Sequence, residues 1–393
     1  MTQQHFDVVI AGGAAIGSAT AYFLTADSGF KGTVAVVEPD PTYRLSATAL
    51  SAASIRHQFS TAENVQMSLF GTEFLRHFSE RMGVEGECPD PAFHEGGYLF
   101  LATAAGQEVL EENHALQTRL GAHVALLSPE ALKTRYPWLN VSDLAGGSLG
   151  LEGEGWLDAY GMMQGMRRKA IAQGATYLRG RVARLEQASG HVTQVKLEDG
   201  HVLACGAVVN AAGTGAPALA ASVDIALPVQ ARKRSVFYVQ CPQPLPGCPM
   251  VIDPSGAYFR PEGSGFIMGI APPDDQDPEA ADFDVQFSLF DEVLWPTLAA
   301  RVPAFEALRC GRSWAGHYDM NVFDQNLVLG LHPSLDNLYF ANGLSGHGMQ
   351  QSPAIGRALS ELITTGRFQT LDLARLGWKR ILDNRPIIEK NVV

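Results

Sequence analysis

The chain of 393 residues carries 29 Lys and Arg against 41 Asp and Glu, a formal charge of -12, with 46% hydrophobic and 18% charged residues. That length allows one large bilobal fold or two to three ordinary domains, and the apolar content supports a sizeable core and excludes global disorder. The acidic balance argues against nucleic acid or an anionic membrane as the main partner, while leaving local arginines free to bind small anions.

Residues 1–7 (MTQQHFD) are polar and lead straight into a strand, so no secretory leader is expected. Phe6–Ala11 is a short β-branched run of buried parallel-strand type, broken by Gly12-Gly13. A helix is predicted over residues 16–25, with Ile16, Ala19, Thr20, Phe23 and Leu24 on one face, and Gly29 and Gly32 end the stretch. Thr33–Val37 is a second buried strand, followed by Glu38, which completes a βαβ unit. Residues 86–150 mix short helices and strands. Arg167-Arg168-Lys169 reads as a solvated helix face. Strand 207–212 runs into Gly213. Residues 225–310 alternate apolar and polar residues between proline-rich joints, which predicts a second, antiparallel sheet inserted into the first domain.

Strand 338–341 opens the loop Gly343-Leu-Ser-Gly-His-Gly-Met349. A helix is predicted after it, with Ser352 as N-cap, Pro353 at its first position and Gly366 as its stop. The five cysteines (Cys88, Cys205, Cys241, Cys248, Cys310) are scattered, with no CxxC and no zinc spacing, which predicts reduced thiols in a cytoplasmic protein. No apolar run reaches the roughly 18 residues of a membrane span.

Residues 12–17 read Gly-Gly-Ala-Ala-Ile-Gly, a GxGxxG fingerprint with Ala14 at the middle glycine. The first glycine allows the tight turn, the middle one the approach of a pyrophosphate, and the last the close packing of helix on strand. The helix N-terminus then offers free N–H groups to the phosphates. The motif follows a strand and opens a helix, and Glu38 stands at the next strand end, where a carboxylate accepts both ribose hydroxyls. A nicotinamide enzyme continues with further βαβ repeats. This chain instead continues into a Ser/Thr/Ala-rich stretch, and its strand–glycine elements return only at 213 and 343. A sheet reassembled from both ends of the chain fits an extended FAD better than NAD.

With these residues in view, the chain resembles the D-amino-acid oxidase/glycine oxidase/sarcosine oxidase superfamily of FAD-dependent amine oxidoreductases. The resemblance rests on the fingerprint, on Ser51-Ala-Ala-Ser-Ile-Arg56, on Asn210-Ala-Ala-Gly213 and on Gly343-Leu-Ser-Gly-His-Gly-Met-Gln-Gln351. The last segment is most similar to the branch containing the mitochondrial complex I assembly flavoprotein. The resemblance implies an α/β fold: a Rossmann-like FAD-binding domain (1–85, 151–222 and 311–393) with an inserted substrate domain (86–150 and 223–310) on a mostly antiparallel β-sheet. It implies FAD contacts from Gly12, Gly13, Ala14, Ala15, Ile16 and Gly17, and from Glu38 at the ribose. Ser46, Thr48, Ser51, Ala53 and Ser54 would run beside pyrophosphate and flavin. Val182 would meet the adenine through its backbone, Ala212 and Gly213 would close the cradle, and Gly343, Gly346, His347, Gly348, Met349 and Gln350 would face the flavin.

Three positions depart from sarcosine oxidase. Gly316 stands where that enzyme attaches its flavin through cysteine, which predicts non-covalent FAD. Ile267 or Met268 replaces its oxygen-activating lysine, which favours another electron acceptor. Gln350 replaces a carboxylate-binding lysine.

The expected reaction is oxidation of the Cα–N bond of an amino acid or N-substituted amino acid, by hydride transfer to flavin N5, giving an imine that hydrolyses. The amine reacts as its free base, which an apolar pocket favours, so no strong general base is required. His347 and Tyr318 are catalytic candidates; His347 is otherwise a satisfied structural histidine. Arg56 and Arg260 are candidates to clamp a substrate carboxylate, or else form structural salt bridges. Tyr258 shares a strand face with Arg260, and His317 and Gln350 complete the substrate candidates. One rival is a 2-hydroxy-acid or polyol dehydrogenase using His57, His317 or His347 as base. The other is a flavoprotein assembly factor, suggested by the Gln350-Gln351 loop.

Overall fold

The computed structural model of the chain describes residues 4–391; residues 1–3 of the polar opening lie outside them. The first strand, Gln4–Ala11, sits inside the first sheet, parallel to Val202–Asn210 on one side and Val34–Glu38 on the other. Leu338–Asn342 lies beyond Val202–Asn210, and Thr176–Arg179 lies beyond Val34–Glu38. Strands from both ends of the chain thus meet in one sheet, which brings the loops after residues 11, 210 and 342 to the same edge. Val8–Ala11 are fully buried, as β-branched strands covered on both faces must be.

The helix Ala15–Ala26 packs between this sheet and the helix Gly348–Thr365. A Cβ on Gly356 would lie 2.6 Å from the backbone carbon of Ala19, so the two helices cross in backbone contact. The second helix begins four residues before the predicted cap at Ser352. Pro353 sits inside it, and His347 precedes its first turn. Pro353 has no N–H to give the Met349 carbonyl; the Ser352 hydroxyl donates to that carbonyl at 2.8 Å instead, so the helix runs through the proline. Gly366, in the left-handed region at φ 74°, ends it.

The second sheet runs Arg309–Asn321, Val229–Gln240, Gly265–Gly269, Tyr258–Glu262, Met250–Ile252, Tyr98–Ala102, Gly146–Gly150, Val124–Leu127. Every pairing is antiparallel except that of Met250–Ile252 with Tyr98–Ala102. Strand Arg309–Asn321 pairs along its length with Val229–Gln240, from Gln240 opposite Arg309 to Val229 opposite Asn321. The expected boundary at 310/311 therefore falls inside a strand of the second sheet, whose ladder continues to Asn321. That strand ends beside the 343–348 loop and carries the second sheet onto the first. Among the described residues no helix is long and apolar enough to cross a membrane, and the five cysteines are unpaired.

Candidate active site

Backbone proximity shapes the fingerprint. Gly12 adopts φ 98°, and a Cβ there would stand 2.3 Å from the Ala211 carbonyl oxygen. A Cβ on Gly17 would stand 1.8 Å from the Gly12 oxygen. Neither position admits a side chain, as a strand–turn–helix cradle for pyrophosphate requires. The N-cap residue Ala14 offers the helix no side-chain acceptor, and the first turn of the helix lines the site. Glu38, at the second strand's end, accepts from the Gly13 amide at 2.8 Å and the Asp40 amide at 2.9 Å. Burial raises its carboxyl above the ordinary value.

A cleft with about 1440 Å³ of empty space, counting its open mouth, begins at this helix. Ala14, Ala15 and Ile16 line it, with Thr48, Ser51, Ala53 and Ser54, Gly213, and Gly346, His347, Gly348, Met349 and Gln350. Of the expected cofactor residues, Gly12, Gly13, Gly17, Glu38, Ser46, Val182, Ala212 and Gly343 do not line the cleft. Ser46 caps the short helix Ala47–Leu50 through the Ala49 amide, and Thr48 accepts from the Ala15 amide at 3.3 Å, tying this segment to the fingerprint. Val182 opens a strand two residues after Gly180, whose amide meets the Glu38 carbonyl. Gly343 and Leu344 donate their amides to Asp319 at 2.7 and 3.3 Å. Gly316 lines the cleft where a Cβ would press on Leu50 Cβ at 2.8 Å.

The far end of the cleft is built by side chains. Arg56, buried at 3% exposure, lines it together with Tyr98, Arg234, Tyr258, His317, Tyr318 and Gln350. The Arg56 guanidinium donates to the carbonyls of Gln58 at 2.7 Å and Asn391 at 2.5 Å, lies over the Phe59 ring at 4.1 Å, and makes no ion pair among the described residues. The Gln350 side-chain oxygen accepts from the Arg56 amide at 2.8 Å.

Arg260 does not join this group. Its guanidinium holds the Ala52 carbonyl at 3.0 and 2.8 Å and pairs with Glu262 at 2.5 Å. It shares the strand face of Tyr258 but does not line the cleft, and with its guanidinium held by Ala52 and Glu262 its expected clamp role gives way to anchoring the segment that carries Ala52. His317 stacks on Phe283 at 4.1 Å and bonds the Asp282 carbonyl at 2.5 Å. The Tyr318 hydroxyl accepts from Arg234 at 2.6 Å, and Arg234 also forms a two-point bond with Asp277 at 2.9 Å each. Burial raises the Tyr318 and Tyr258 hydroxyls, the latter to about 12, so both stay neutral donors.

His347 stands edge-on to Phe59, with its Nε2 buried and without a partner. Burial, then the Arg56 charge, pushes its pKa far down, so the imidazole is neutral. Asp319 is buried with no cation beside it among the described residues; burial lifts its carboxyl to about 6. Glu154, buried beneath the Arg56 loop, accepts from the His57 amide at 2.6 Å and the Gln58 side chain at 2.7 Å, and burial raises it to about 7. Sequence reasoning missed Tyr98, Arg234, Asp319 and Glu154. Arg234 alone left a signal, as the cation nearest the apolar half of its alternating strand.

The residues fit an extended flavin dinucleotide: two glycine positions closed to any Cβ, a helix with free N–H groups, a cleft running from it, and a buried imidazole nitrogen with nothing yet to bond. Residues 7–362 match the family model DAO, FAD dependent oxidoreductase. FAD-dependent oxidoreductase domain-containing protein 1 of Xenopus laevis is 42% identical over 98% of this chain and 85% of its own. Monomeric sarcosine oxidase of Bacillus sp. (strain NS-129) is 25% identical over 92% of this chain and 94% of its own. The structure of L-proline dehydrogenase from P. horikoshii superposes with a TM-score of 0.85 at 25% identity, covering 98% of this chain and 100% of that one. Glycine oxidase from Geobacillus kaustophilus shares the fold, with a TM-score of 0.81 at 24% identity over 96% and 99% of the two chains. The chain therefore belongs to the DAO family of FAD-dependent oxidoreductases, and its cofactor is FAD.

Proposed function

We propose that this oxidoreductase oxidises the Cα–N bond of an amino acid or N-substituted amino acid. Bound FAD supplies the two-electron acceptor. The observation that carries the reading is Arg56: a buried guanidinium on the cleft wall with no carboxylate of its own among the described residues. An unpaired buried charge is costly, and a substrate carboxylate supplies the missing partner in two-point geometry. Tyr98 and Tyr258 flank the space beside it. Among the described residues Asp319 is the one acidic residue on the wall, and it is occupied by the Gly343 and Leu344 amides. No anion is thus offered to an ammonium, and desolvation favours the free amine, whose lone pair drives loss of the Cα hydrogen.

The helix N-terminus at Gly348 and the loop before it turn their dipole to the cleft, favouring negative charge on the reduced cofactor. Among the described residues no cysteine lines the cleft, in keeping with non-covalent FAD. Nor does any lysine among the described residues line it, and Ile267 and Met268 are buried off the wall, which favours an acceptor other than oxygen. A 2-hydroxy acid would need a base, and His347, its basicity depressed by burial, is a poor one.

Anaerobic bleaching of the flavin separates the readings. Sarcosine, proline, D-amino acids and iminodiacetate are expected to contain a bleaching substrate, and 2-hydroxyglutarate is not. Bleaching by 2-hydroxyglutarate alone overturns the amine reading. No bleaching by any of them, together with a stable protein complex in a pull-down, favours the assembly role.

A further inference from the structure

Arg56 sits on a loop, residues 56–61, with no regular structure of its own between strand Ser54–Ile55 and helix Ala62–Arg76. Much of what fixes that loop comes from residues 385–391, more than three hundred positions away. Glu389, 5% exposed, accepts from the Ser60 amide at 2.6 Å, the Ser60 hydroxyl at 2.6 Å, the Thr61 hydroxyl at 2.9 Å and the Asn64 side chain at 3.0 Å. Thr61 precedes the helix without capping it through its own side chain; its hydroxyl donates to Glu389 instead. Two residues on, the Asn391 carbonyl takes a guanidinium N–H of Arg56, and the Asn391 side chain donates to the Gln58 carbonyl at 3.1 Å. The Asn113 side chain in turn donates to Asn391 Oδ1 at 3.1 Å.

These contacts fix the guanidinium from behind. The carbonyls of Gln58 and Asn391 take one N–H each from its two terminal nitrogens. A guanidinium has five N–H donors, so others remain for a ligand. A geometry held to within about half an ångström is what two-point carboxylate recognition needs.

We propose that Glu389 is a positioning residue for Arg56, and that residues 389–391 form the rear of a carboxylate subsite whose selectivity they set. This rests on the reading of Arg56 as the carboxylate clamp. Two other roles for Glu389 make different predictions. As a mere charge balance for Arg56, its loss would make the guanidinium more attractive to anions. As a purely stabilising strap, its loss would lower the melting temperature and leave ligand selectivity alone.

The test uses the FAD-loaded protein, titrated with cyclopentanecarboxylate and with its uncharged counterpart cyclopentanecarboxamide, and read by perturbation of the flavin spectrum. Glu389→Gln is expected to raise the Kd for the carboxylate about tenfold and leave that for the carboxamide unchanged, with Glu389→Asp restoring part of the loss. Asn391→Ala, at a half-buried position that tolerates truncation, is expected to raise it about threefold, and this arm decides if Glu389→Gln does not fold. Unchanged or tighter carboxylate binding in the foldable variants overturns the positioning role. Arg56→Met is the control: if it leaves carboxylate binding unaltered, the clamp reading itself falls, independently of Glu389.

Discussion

At the fingerprint end of the cleft the ligand meets backbone; at the Arg56 end it meets side chains. The first end is closed by carbonyls that tolerate no Cβ at Gly12 or Gly17. Its one charged residue, Glu38, comes from the same βαβ unit. The second end assembles Arg56, Tyr98, Arg234, Tyr258, Tyr318 and Gln350 from a loop, separate strands and a helix. Behind them, buried carboxylates at Glu154 and Glu389 fix the loop that carries Arg56. A backbone site can keep its ligand while its surroundings change. A side-chain site changes selectivity with one substitution, which suits a scaffold that serves several amines.

The largest effect expected from this contrast is at Gly17. Gly17→Ala places a methyl against the Gly12 oxygen and forces helix and strand apart. Purified protein should be colourless and fail to take up added FAD, as read by absorbance near 450 nm. Retention of stoichiometric FAD would falsify the backbone-cradle account. Next comes Arg56→Met. It removes the partner of a buried carboxylate, so KM for an acidic amine should rise on the order of a thousandfold, about 4 kcal/mol. FAD should remain bound, because Arg56 belongs to the other end of the cleft.

The same contrast explains what the sequence disclosed. The βαβ unit, Glu38, the second sheet and the glycine loop were legible because each is written in consecutive residues whose period or spacing has one structural meaning. Arg56 was legible through its neighbours at 51–55. The start of the helix at Gly348 was misplaced because Pro353 and Ser352 imitate a helix beginning, and only the hydroxyl-to-Met349 bond shows how the helix passes through them. Strand alternation correctly paired Tyr258 with Arg260 but could not show that Ala52 stands in front of the arginine. Tyr98, Glu154 and Glu389 gave no signal, since a buried residue that bonds a loop far away in sequence looks like any other tyrosine or glutamate.

Acid–base behaviour separates the two ends more gently. Burial raises Glu154 from 4.5 to about 7, so the folded chain keeps a proton there that the unfolded chain releases. Stability is therefore fullest below about pH 4.5 as far as this group is concerned, and declines as pH rises to about 7. The decline is about 3 kcal/mol. Glu154→Gln should flatten most of it in urea midpoints measured between pH 5 and 7.5, while the smaller decline from Asp319, up to about pH 6, persists. An unaltered slope would show that Glu154 titrates normally.

Smaller still is Arg260→Met. It frees the Ala52 carbonyl and should cost about 1.5 kcal/mol of stability, with some FAD lost on dilution. Selectivity between cyclopentanecarboxylate and its carboxamide should not move. A selective loss of carboxylate binding would return Arg260 to the clamp and blur the division between the two ends.

The least effect is expected where the fingerprint departs from its usual form. Ala14 stands at the middle-glycine position with φ -69°, an ordinary conformation for an L-residue, and its surroundings already accommodate the methyl on the cleft wall. Glycine is demanded at Gly12 by the positive φ and the Ala211 oxygen, and at Gly17 by the Gly12 oxygen. Ala14→Gly therefore relieves no clash and adds freedom to the unfolded chain, a cost of about 0.5 kcal/mol. FAD affinity measured by fluorescence titration should stay within threefold of the parent protein's. A gain of tenfold or more would mean that the methyl holds the cofactor off its amides, and that even the backbone end of this cleft is tuned by a side chain.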